Sequence, residues 1–363
     1  MHPLTKQLVC LFLVGFVGGC PVINLTAKNH VYLAVSGENR IAVFAQNETS
    51  GKLEHIEDIA TSGSPKTLSV SPDRRYLFAS ISGEGKIASF AINQLTGTPT
   101  LLGEVETGSH ASFFDIDDTG TYLLSTYYGL GQVMVHKLKD GVLSTRPLQI
   151  IETDERAHSV VLDSSNRFLF VSHTRPNSIF QFHFDRNTGF LTPNEVPRLR
   201  RTETAGPRHL RFDATGNYGY GSDEQGNSVT TYRMNKKSGQ LEKLQTLTTL
   251  PTGFEKDNAT SDIQIHPNGR FIYVANRGHD SLAAYEVDKN TGTLSFIDWF
   301  PSEQHTRSFA FSKDGKFLYA AGSRSGQLST SLVDSHTGRL TRIDTIEVGR
   351  SPWWVLFVEL AGD

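Results

Sequence analysis

The chain has 363 residues, a formal net charge of -3, 20% charged and 37% apolar side chains, and 22 Phe beside 11 Tyr. This mixed balance excludes a basic nucleic-acid binder and an acidic disordered tail, and it is ample for a buried core. With 32 Gly and 3 Met a helix-rich chain is disfavoured; both cysteines, Cys10 and Cys20, fall in the first twenty residues, so the body has no disulfide, cysteine metal site or cysteine nucleophile.

Met1 to Gln7 is polar with one firm charge, Lys6, and Leu8 to Gly19 is apolar. The run is shorter than the ~20 residues a spanning helix needs. A charged start, a short apolar stretch and small residues at its end have the order of a secretory signal. Its last residues, Val17-Gly18-Gly19-Cys20, resemble a bacterial lipobox, whose cysteine is lipidated and becomes the mature N-terminus. The expectation is a signal over 1–20, a short linker over 21–29, and export to the periplasm or to a membrane through lipidated Cys20. An unprocessed N-terminus would leave the chain cytoplasmic.

From residue 30 onward the chain repeats itself. A turn followed by an aromatic strand recurs, as in Ser71-Pro72-Asp73-Arg74-Arg75-Tyr76 and His266-Pro267-Asn268-Gly269-Arg270-Phe271. The aromatic positions 76, 122, 168, 218, 271 and 317 are spaced by 46, 46, 50, 53 and 46. A second phrase, a glycine turn before a polar strand, occurs seven times, at Gly51, Gly97, Gly141, Gly189, Gly239, Gly292 and Gly338. In the copy after Pro65, Thr67 to Ser71 opens, Tyr76 to Ile81 reads as buried on both faces, Lys86 to Ile92 alternates, and Leu101 to Glu106 closes. Units of four short strands and ~45 residues are the period of propeller blades. The first copy lacks an opening strand, and Ser351 to Val358 has the character of one. The expected fold is therefore all-β: a seven-bladed β-propeller over 30–360, closed by N- and C-terminal strands sharing one blade, with no open edge.

That connectivity sorts residues onto two faces. The starts of the opening strands and the loops between second and third strands share one face. There the repeat varies: Pro65-Lys66, Ala111-Ser112, Ala157-His158, Pro207-Arg208-His209, Ser261-Asp262, Thr306-Arg307, Pro352-Trp353, Asp223-Glu224 and Asn276-Arg277. Variation confined to one end of a structural repeat marks a functional face. The set is cationic with a few carboxylates and imidazoles. Guanidiniums suit a carboxylate or phosphate ligand, and a carboxylate among them can activate water. Arg40, Arg175 and Arg324 read as rim residues. There is no His-Glu-x-x-His, no cysteine pair and no calcium-type loop, and Gly129-Leu130-Gly131 is too short for a dinucleotide fingerprint. Neither metal nor cofactor is expected. The sequon-like Asn258-Ala259-Thr260 reads as a chance match.

Gly206-Pro207-Arg208-His209-Leu210, Asp223-Glu224, Asp262-Ile263, Asn276-Arg277-Gly278-His279-Asp280-Ser281 and the closing Gly349-Arg350-Ser351-Pro352-Trp353-Trp354-Val355 resemble the seven-bladed lactonase family. That family includes the propeller-type 6-phosphogluconolactonase and a fungal carboxymuconate-lactonising enzyme. The resemblance covers about residues 30 to 360. It implies a catalytic set of His158, Arg208, Glu224 and Arg277; Lys66, His209, Asp262 and Arg307 are expected beside it as substrate contacts. Many relatives carry histidine where this chain has Gln264. The implied activity is hydrolysis of a small anionic sugar or organic-acid lactone, 6-phosphogluconolactone being the family default. Glu224 would be the base, His158 a second acid/base group, Arg208 and Arg277 the oxyanion donors, and Lys66 and Arg307 the holders of a remote phosphate. A carboxymuconate-type lactonising isomerase and a non-catalytic ligand-binding envelope propeller are the alternatives.

Mass spectrometry of the protein from its native host tests the N-terminal reading. The expected product begins at a lipid-modified Cys20; an intact Met1 overturns it.

Overall fold

The computed structural model describes residues 28–201 and 204–361. Cys20, the signal and most of the linker lie outside the described residues. The body is seven antiparallel sheets, each joining strands that are neighbours in the chain, with one exception. That exception closes the ring: Pro352–Glu359 pairs with Asn29–Val35, followed outward by Arg40–Gln46 and Leu53–Ala60. Its register runs from Asn29 opposite Glu359 to Leu33 opposite Val355. The innermost strands touch in cyclic order around the axis. The described residues contain one short 3-10 turn, Ser36–Glu38. In the third blade the outermost strand is split into Val142–Leu143 and Gln149–Glu152, both paired with Gln132–Lys139.

Burial follows from face-to-face packing of blades. Second strands such as Tyr122–Tyr127 and Phe271–Asn276 are buried along their whole length. Third strands were expected to alternate, yet Lys86–Ile92 is buried at most positions. The neighbouring blades cover both of its faces. Partial exposure belongs to the fourth strand at the rim, as in Leu53–Ala60, where no position is fully buried.

The two recurring sequence phrases are halves of one contact. Every one of the seven turn glycines lies over a ring of the preceding blade: Gly141 on Tyr76, Gly189 on Tyr122, and so on to Gly338 on Phe271. A Cβ at any of them would sit well under 3.0 Å from that ring. All seven have φ between 70° and 78°, which glycine adopts without strain. The series closes across the chain ends, Gly51 resting on Phe317. In the first blade the aromatic is replaced by His30, which carries Gly97 and bonds the carbonyl of Thr96 at 3.1 Å.

Gly141→Ala should therefore cost about 2–4 kcal/mol, from backbone strain and overpacking together. Gly103→Ala, where nothing lies within 4 Å, should change little. Denaturant midpoints of the two variants check the contrast.

Candidate active site

The innermost strands do not pair evenly with the second strands. In six blades the register slips near one face, leaving residues without a partner: Lys66 and Thr67, His158, Arg208, Ser261 and Asp262, Arg307, and Trp353. A bulge turns its extra residue out of the strand's alternation. Here most of these residues tip into the axis, where they line a cavity of about 320 Å³. The loops after the second strands complete it with Tyr128, Glu224 and Arg277. Six of the eight residues expected from the sequence thus meet in one space: Lys66, His158, Arg208, Glu224, Arg277 and Arg307.

The other two do not reach it. His209 is 1% exposed and Asp262 is fully buried, and neither lines the cavity. Expected as substrate contacts, both instead lie beneath Arg208. His209 Nδ1 meets Asp262 Oδ1 at 2.9 Å, and Arg208 Nη1 donates to His209 Nε2 at 3.0 Å.

Glu224 is the centre of the charge arrangement. Arg208 Nε donates to its Oε2 at 2.8 Å, and Arg277 Nη2 lies 3.1 Å from the same oxygen. No described residue bonds Oε1. Its peptide is fixed at both ends, its N–H donating to Gly206 O at 2.6 Å and its carbonyl accepting from Thr260 N at 3.3 Å. Beneath it Asp223 accepts from Ser228 and Thr230 and pairs with Arg201. Arg277 is held through its backbone neighbour, since Asn276 exchanges hydrogen bonds with Thr249 and accepts one from Asn258. Asn258 Oδ1 in turn accepts from the N–H groups of Gly278 and His279. The sequon-like asparagine is therefore a loop anchor, and the Asn-Arg-Gly-His-Asp-Ser run is the means of aiming one guanidinium.

Across the cavity stand two cations without anions. Arg307 makes no hydrogen bond or ion pair with any described residue; its Nε and Nη1 are buried and unsatisfied. It stacks on Trp353 with Cζ 3.7 Å from the ring centroid, and Lys66 Nζ lies 3.9 Å from the same ring. Burial, aided by Arg208 and Arg277, brings the Arg307 guanidinium down to about 9, and burial with Arg307 nearby lowers Lys66. Burial and the surrounding arginines push His158 well below 6.5, so its imidazole is neutral at physiological pH. Neither of its ring nitrogens has a hydrogen bond to a described residue, and Nδ1 is buried. Below, Trp354 separates this cavity from a second one of about 620 Å³ that opens at the opposite face.

Trp353 and Tyr128 received no role from the sequence. Tyr128 could have been found by counting: it lies six residues past the repeat aromatic Tyr122, as Glu224 does past Tyr218 and Arg277 past Phe271.

Residues 32–357 match the family described as Lactonase, 7-bladed beta-propeller, and the chain belongs to that family. It is 31% identical over 170 residues to a 6-phosphogluconolactonase of Pectobacterium carotovorum, an alignment covering 47% of this chain and 51% of the relative. The chain thus spans about half the length of that curated relative. It is 28% identical over 282 residues to a 6-phosphogluconolactonase of an Enterobacter species, covering 78% of this chain and 84% of the relative. Among solved structures, the periplasmic gluconolactonase of Pseudomonas aeruginosa superposes with a TM-score of 0.85 at 25% identity, covering 92% of this chain and 99% of that one.

Because His158 stays neutral well below pH 6.5, a rate that needs its free imidazole should be flat from pH 8 to 6.5 and decline only in stronger acid. A pH–rate profile checks this; a limb centred at 6.5 that vanishes in His158→Gln contradicts it.

Proposed function

We propose that the protein hydrolyses a sugar-type lactone carrying an anionic group, 6-phosphogluconolactone being the substrate class that fits best. The observation that carries the reaction is the split carboxylate of Glu224. Both arginines occupy Oε2, which leaves Oε1 to accept a proton. Water bound there attacks the lactone carbonyl and gives its proton to Oε1. Negative charge then develops on the carbonyl oxygen. Arg208 retains Nη2 and Arg277 retains Nη1, unused by the described residues, to receive it. The ring carbon–oxygen bond breaks, and the leaving oxygen recovers the proton from Glu224. The product is the open hydroxy acid. Neutral His158 offers a ring nitrogen to the water or to the leaving oxygen.

The anionic group is argued from Arg307 and Lys66. A buried guanidinium with no partner is costly, and an oxyanion between it and the ammonium removes that cost. The lactonase names of the relatives support the reaction class.

We also propose export, with Cys20 lipidated. The lipobox-like segment and the word periplasmic in the name of the Pseudomonas protein support it. No helix among the described residues is long and apolar enough to cross a membrane.

Two variants separate the parts. Glu224→Gln should lower kcat about 100-fold or more on any accepted lactone. Arg307→Met should raise KM about tenfold for 6-phosphogluconolactone and hardly change it for unphosphorylated gluconolactone. Undiminished turnover in the first removes the base assignment; equal effects on both substrates in the second remove the anion site.

A further inference from the structure

We infer that His209 and Asp262 are positioning residues for Arg208, forming a buried relay that fixes one histidine tautomer and, through it, the direction of the guanidinium facing the cavity. The inference rests on the lactonase reading for its kinetic consequence but not for its geometry.

Arginine has five N–H donors and no acceptor. The 3.0 Å contact between Arg208 Nη1 and His209 Nε2 is therefore a hydrogen bond only if Nε2 carries a lone pair. The single ring proton must then sit on Nδ1, and Nδ1 points at Asp262 Oδ1, 2.9 Å away. The carboxylate is itself held on several sides. Its Oδ1 accepts from Ile263 N at 2.9 Å, and its Oδ2 accepts from Gln264 Nε2 at 3.0 Å and from Phe309 N at 3.4 Å. Phe309 belongs to the next blade, so the anchor spans two blades. The imidazole has no room to turn: Phe113, His158 and Trp354 lie with ring centroids 5.0, 5.2 and 6.0 Å from it.

The alternative ring states break the chain. The Nε2–H tautomer opposes one donor to another at Arg208. The imidazolium does the same and adds a positive charge where Arg208, Arg211, Arg277 and Arg307 already act on the ring. Burial and those four cations hold His209 well below 6.5, in keeping with a neutral ring. The consequence is an arginine with only one free nitrogen. Nε is given to Glu224 and Nη1 to His209, so Nη2 alone is presented, in a fixed direction. A donor aimed at charge that appears during reaction contributes to turnover more than to substrate binding. Gln264 joins the relay, and its amide supplies a donor to Oδ2 without a titrating group.

The test combines nitrogen-resolved NMR of the imidazoles with kinetics. In the wild-type protein one buried histidine should show a protonated Nδ1 and an unprotonated Nε2, and that pair of signals should vanish in His209→Phe. An Nε2–H tautomer for that histidine overturns the inference whether or not any variant folds. For kinetics, His209→Phe should lower kcat at least tenfold with KM for 6-phosphogluconolactone changed less than threefold. His209→Gln, whose amide oxygen can accept from Arg208, should recover most of that loss. A folded His209→Phe with kcat within twofold of wild type overturns the inference and leaves the lactonase reading intact. A wild-type protein that opens no lactone removes the reading, while the tautomer measurement still decides the relay.

Discussion

The ring stands on one contact made seven times, the bare backbone of a turn glycine laid against an aromatic face of the blade before it. The contact fixes how closely two blades approach, and an error repeated around a closed circle cannot be absorbed anywhere. It also explains why two unrelated-looking phrases share a period. The aromatic lies at the start of a second strand in one blade, and the glycine lies in the turn before the fourth strand of the next. Their chain separation, 65 residues in the case of Tyr76 and Gly141, bridges one blade boundary. The boundary between the last and first blades uses the same pair, Phe317 and Gly51, so closure is one more copy of the standard joint.

A rigid frame matters because the site is electrostatically uneven. Lys66, Arg208, Arg277 and Arg307 share a space of about 320 Å³ with the single carboxylate of Glu224. Left to relax, like charges would separate toward solvent. The bulges prevent it for Lys66, Arg208 and Arg307 by tipping each inward from a strand whose remaining positions are locked in a ladder, and the anchored loop after Asn276 holds Arg277. Two of the cations pair with Glu224, whose single charge offsets one of them; the other two lie against the Trp353 ring, a weaker partner than an anion. The uncompensated positive charge is thus placed on one side of the cavity, opposite the carboxylate.

The fold was almost fully legible in the chain. Blade number, strand order and the shared closing blade follow from the spacing of aromatics and turn glycines, because each is set by a local steric need. The third strands were misjudged, since their burial comes from adjacent blades and leaves no trace in the local pattern. The face bearing the site was legible too, from where the repeat stops repeating. Depth was not. Arg208 and His209 are adjacent residues of equal chemical promise, yet the bulge at that position sends one into the cavity and the next beneath it. A one-residue slip in pairing has no sequence signature here. Tyr128 was missed for a simpler reason: its blade carries an aromatic where two later blades carry Glu224 and Arg277 and the adjacent ones Ser82 and Thr174, though the count from the repeat aromatic is identical.

Trp353 and Trp354 belong to the strand that shuts the ring, and one of them bears both free cations while the other divides the axial channel. During synthesis this is the final stretch of the propeller to leave the ribosome. Until Pro352–Glu359 docks beside Asn29–Val35, Lys66 and Arg307 lack their shared indole and the pocket has no floor. The complete pocket is accordingly withheld from any chain in which this strand has not yet docked.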